Sequence, residues 1–173
     1  MNHLLPWLRK SRRGGHGAER TDYAGAVYGS LLAASVIASA STVGEFPRFE
    51  TVVFLLVTGL VFWAAHVYAR LAGERSADRP VDWAEARRVG LKEWSIVEAA
   101  VLPAAAVALS PLFGLGLTAT GWLALGVAVA QQVAWAYMGA LHALASRRQA
   151  AVEAVVNLLL GLVIVAAKAA MGH

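Results

Sequence analysis

Cysteine is absent from the 173 residues. No disulfide framework, zinc–thiolate centre or thiol nucleophile is therefore available to the chain. Charge is scarce as well. Only 15% of the residues are Asp, Glu, Lys or Arg, where a soluble domain carries about a quarter. That shortage disfavours a soluble enzyme, a disordered tail and a nucleic-acid-binding module. No HExxH, GxSxG, P-loop or GxGxxG pattern occurs, and no helix carries His and acidic residues at a metal-ligand spacing. No repeat relates the two halves. The sequence thus gives no sign of an enzyme, a cofactor or a resident metal.

What the chain has in quantity is apolar length. Residues of apolar type make up 58% of it, and about 20 in a row suffice to cross a hydrocarbon core of about 30 Å. Five stretches qualify: Ala24–Val43, Thr51–Leu71, Trp94–Leu112, Gly121–Ala145 and Ala150–Met171. The fold class expected is all-α, a polytopic membrane helix bundle of five transmembrane helices. Residues 1–20 form a basic N-terminal segment, and 21–173 form the membrane domain, with a charged linker at 72–93.

The net charge of +4 is distributed as a topology signal. Lys and Arg collect in cytoplasmic loops. With five spans, 13 of the 15 basic residues fall on one side, and only Arg48 and Lys168 fall on the other. This predicts a cytoplasmic N-terminus, an external C-terminus and residence in a bacterial inner membrane. The N-terminus does not read as a signal peptide, because its apolar stretch is only a few residues long and precedes the arginines. Leu4, Leu5, Trp7 and Leu8 beside Arg9–Arg13 suit either an interfacial anchor on anionic lipid or a solvated tail.

Residues Val81–Glu93 predict a short cytoplasmic helix lying on the membrane. Asp82 and Glu85 have capping-box spacing, and Trp83 and Trp94 suit the interface. Pro103 is expected to kink the third span.

Alanine is abundant, at 36 residues. Small residues let helices approach closely in lipid. The first span carries Gly25 and Gly29 as a GxxxG pair extended by Ala33, so it is expected to be central and protein-contacting. Spans two and five are richer in large apolar residues and should face lipid. A bundle this thin points to a homo-oligomer sharing the first span at its interfaces.

Polar groups within spans need an explanation, because hydrocarbon penalises them unless they are paired. His66, Glu98, His142, Glu153 and Asn157, with Asp22 opening the first span, all fall within roughly 10 Å of the inner boundary at 1.5 Å per residue. Glu98, His66 and His142 would then shape an inner mouth, with Asn157 and Gln131 along a path. The resulting function is a channel or transporter for a small cation or a proton. The alternative is a structural or accessory membrane protein in which each histidine is merely interfacial, Glu98 pairs with an Arg, and the amides lock helices together. Partners expected are the bilayer and anionic headgroups at the basic segments, with no nucleic acid.

Two resemblances accompany these readings. FWAAHVYARL, EWSIVEAAVLP and VVNLLLGLVIVAAK resemble segments of a group of small, uncharacterised bacterial integral membrane proteins. More weakly, Arg20, Asp22, Trp63 and His66 in the first two spans resemble the lysosomal-type potassium channel family. That family's Phe-Ser-Asp signature is missing, since Arg20-Thr21-Asp22-Tyr23 stands there, and its usual six spans differ from five. The second resemblance implies cation conduction.

Overall fold

The computed structural model describes residues 23–40, 47–73, 82–143 and 145–171. Asp22, the basic segment 1–20 and residues 74–81 of the 72–93 linker lie outside them. Among the described residues there are six α-helices and no strand: α1 Tyr23–Ala40, α2 Arg48–Gly73, α3 Trp83–Lys92, α4 Ser95–Leu109, α5 Leu117–His142 and α6 Arg147–Met171. All but α3 are long and apolar enough to cross a membrane, α4 by including the 3-10 turn Ser110–Phe113. Helices α2, α5 and α6 begin three or four residues before their apolar runs do. Hydrophobicity marks where lipid begins, whereas the hydrogen-bond ladder continues through Arg48, Thr118 and Arg147–Gln149 beyond it.

Helix α1 sits in the middle and packs on α2, α4, α5 and α6. Its inward residues are Gly25, Ala26, Gly29, Ser30, Ala33, Ala34, Ile37 and Ala38, all buried. Gly29 shows why they are small. A Cβ there would lie 2.7 Å from the Ile96 carbonyl oxygen and 2.8 Å from Ala99 Cβ. The two backbones touch, which is how helices gain dispersion energy where lipid offers no hydrophobic drive. Gly161 of α6 meets Val129 of α5 in the same way, its Cβ position 2.6 Å from Val129 Cγ1. The small face of α1 is thus used within the chain.

Helix α4 stays one helix through the buried Pro103. Proline has no N–H, so the carbonyl of Ala99, four residues earlier, loses its ladder partner. Gln131 of α5 replaces it: its Nε2 donates to the Ala99 oxygen at 3.0 Å and to Ser30 Oγ at 3.1 Å. One amide thereby joins α1, α4 and α5. After α4, Gly114 takes φ 66°, the left-handed conformation that only glycine adopts without strain, and turns the chain into α5.

Candidate functional site

A single stripe of α2 reaches a buried carboxylate. Leu55, Gly59, Trp63, His66 and Arg70 recur at spacings of three and four, so they share one face. Leu55 and Gly59 are buried against α4. Trp63 donates from Nε1 to the Gly90 carbonyl at 2.8 Å and meets Trp94 edge-on, with ring centres 5.4 Å apart. One turn further, His66 and Arg70 converge on Glu93. This residue caps the C-terminus of α3 at the elbow into α4 and is 1% exposed.

Both oxygens of that carboxylate are engaged. Arg70 Nη1 bonds Oε1, and His66 Nε2 stands 3.5 Å from Oε2. A carboxylate this enclosed is tolerated because a guanidinium meets it. The two partners reach outward, with side chains 43% exposed for His66 and 38% for Arg70. The imidazole also lies beside Tyr28 of α1, ring centres 6.1 Å apart. His66 therefore touches the buried carboxylate at one end and open surroundings at the other. That placement is chemically competent to pass a proton between them.

Glu98 is not this carboxylate. It belongs to α4, beyond the elbow, on an exposed stripe with Val101, Leu102 and Leu109. Neither histidine bonds to it among the described residues. His142 is also apart from His66. Its ring stacks on Tyr23 at 5.0 Å, whereas His66 lies by Tyr28, about 140° round α1 at 3.6 residues per turn. His142 Nδ1 lies 2.8 Å from the Met138 carbonyl. A carbonyl only accepts, so Nδ1 carries the proton and Nε2 faces the Tyr23 hydroxyl at 3.4 Å. The expected convergence of Glu98, His66 and His142 is not formed. Among the described residues, no group of three or more His, Asp or Glu is placed to hold a metal ion.

Asn157 is held in a second amide lock, built on Gln132, the residue next to Gln131 in α5. Its Oδ1 and backbone oxygen accept from Gln132 Nε2 at 3.2 and 3.0 Å, and its Nδ2 donates to the Glu153 carbonyl at 2.9 Å. Gln132 is wholly buried. At the far end, Arg48 braces the turn after α4, bonding Ser110 Oγ at 2.9 Å and the Leu115 carbonyl. Lys168 lies 5.2 Å from the centre of the Trp122 ring, a cation–π contact. The crevice between α1, α2 and α4 is lined by Leu32, Val36, Leu55 and Gly59, with Thr58 as its polar exception.

The residues alone place Glu93 at the end of the predicted short helix Val81–Glu93 and Arg70 among the topology charges, with nothing that pairs the two. The available signal was the four-residue spacing of His66 and Arg70, which presents two donors to one acceptor. Comparison with protein-family models, curated proteins and solved structures finds no match to the chain.

Proposed function

We propose that this chain is a structural or accessory protein of the bacterial inner membrane. It crosses five times, with its N-terminus in the cytoplasm and its C-terminus outside, and α3 lies along the cytoplasmic surface. The observation that carries this reading is the use made of the amides deep in the bundle. Gln131 binds Ser30 and Ala99, and Gln132 binds Asn157, so each donates across a seam between helices. Their role is to fix helix against helix. Arg48 and Lys168, the two basic residues assigned to the outer side, hold the bundle there in the same manner.

A second reading is proton or small-cation transport. It is favoured by one observation: His66 stands between open surroundings and the buried Glu93, 3.5 Å from its oxygen. Flux in proteoliposomes between pH 5 and 8 separates the two. The structural reading expects the purified chain to match empty vesicles. Flux that disappears in Glu93→Gln would overturn it and establish transport.

A further inference from the structure

We infer that the outward face of α3 is a docking surface for anionic phospholipid headgroups. The inference rests on the proposal that α3 lies at the cytoplasmic membrane surface, and it names the partner there.

The inward face of α3 is fixed. Val89, Gly90 and Glu93 are buried; the Gly90 carbonyl takes the Trp63 bond, and Glu93 is clamped by Arg70 and His66. A helix anchored along one side presents its other side in a defined orientation. There Trp83 is 84% exposed and Leu91 66% exposed. Arg87 lies between them on the same stripe, four residues from each. Trp94 continues the stripe at the elbow. Arg88 and Lys92 form the neighbouring row.

The cations are not equivalent. Arg88 is drawn to Glu85 at 3.6 Å. Arg87 and Lys92 have no acidic partner among the described residues. Two cations and three large apolar side chains are therefore left facing outward. Positive charge alone fits an acidic protein equally well. The interleaving of charge with Trp and Leu decides for lipid, because only the headgroup boundary offers phosphate and hydrocarbon a few ångströms apart. The position agrees, since α2 ends and α4 begins on either side of α3, so the bilayer surface adjoins it.

The test uses the full chain reconstituted in phosphatidylcholine with spin-labelled phosphatidylglycerol or phosphatidylcholine. Electron paramagnetic resonance reads the ratio of the two association constants. The natural chain should prefer phosphatidylglycerol, and Arg87→Gln with Lys92→Gln should lower that preference about fivefold at low salt. Arg88→Gln should change it less than about twofold, because that charge is already shared with Glu85. All three positions are exposed, and thermal unfolding checks that the variants remain folded. A ratio of one for the natural chain overturns the inference. So does a double variant that keeps the natural ratio, which would assign the face to a protein partner. Alkaline carbonate extraction, run alongside, tests the membrane reading itself. A chain that is extracted defeats both proposals, and a chain that resists extraction but shows no lipid preference defeats only this one.

Discussion

Helices α1 and α2 are neighbours of similar hydrophobic character and opposite fate. Half of α1 is buried, against 11% of the most apolar part of α2. The buried residues of α1 are Gly, Ala and Ser with one Ile, whereas α2 turns Phe54, Val57, Leu60, Val61 and Phe62 outward. In water the larger apolar residues would be the core. In lipid they gain nothing by leaving the tails, and close approach of backbones supplies the attraction instead. Smallness, not hydrophobicity, marks the buried face of α1. Helix α2 joins the bundle through one narrow stripe, and its polar end, His66 and Arg70, provides what small residues do not.

That contrast can be broken at three points. The largest effect is expected at the polar end of α2. Arg70→Met leaves Glu93 enclosed with only the imidazole beside it, and should cost about 3 kcal/mol of stability. Unfolding in detergent at pH 7 measures this, and a loss below about 1 kcal/mol would place the charge pair at the margin of the fold.

The seam between α1 and α4 comes next. Gly29→Ala forces a methyl group onto the Ile96 carbonyl and should cost about 2 kcal/mol. Gly126→Ala adds the same methyl group to α5 where no atom lies within 4 Å. It should leave the same melting curve within about 0.5 kcal/mol. Equal effects at the two glycines would mean that close approach does not distinguish inside from outside here.

The smallest effect concerns the amide. Gln131→Met should cost about 1 kcal/mol by stranding the Ala99 carbonyl. Pro103→Ala restores the missing N–H, so in that background the same substitution should cost markedly less. A double-mutant cycle in which the two changes simply add would show that Gln131 does not serve as the substitute donor.

Much of this architecture is readable from residues alone. Five apolar runs gave five long helices, and Asp82 heads α3 as its spacing implied, accepting from the Ala84 N–H at 3.3 Å. Glu85, the other half of that box, turns instead to Arg88. The candidate site was less legible, because depth along a span is visible in a sequence while azimuth is weakly so. Glu98 has the more apolar flanks, yet its stripe runs through Val101 and Leu102 and faces outward. Glu93 shares its stripe with Gly90, Val97 and Ala100 and faces inward. Likewise Pro103 suggested a bend. Its consequence is a hydrogen-bonding need met by a residue 28 positions later, and no local pattern encodes that.

The bond from Gln131 to Ser30 spans 101 residues of chain. A ribosome delivers α1 first and α5 only after two other long apolar helices, α2 and α4, have followed. During that interval the side of α1 that α5 will cover stands open, Ser30 with it, although α4 has already reached Gly29. Biogenesis of this molecule therefore has a vulnerable period whose length is set by the spacing of those two residues. A nascent chain halted before Leu117 would retain a sticky, unmatched helix, a substrate for insertion chaperones or quality-control proteases.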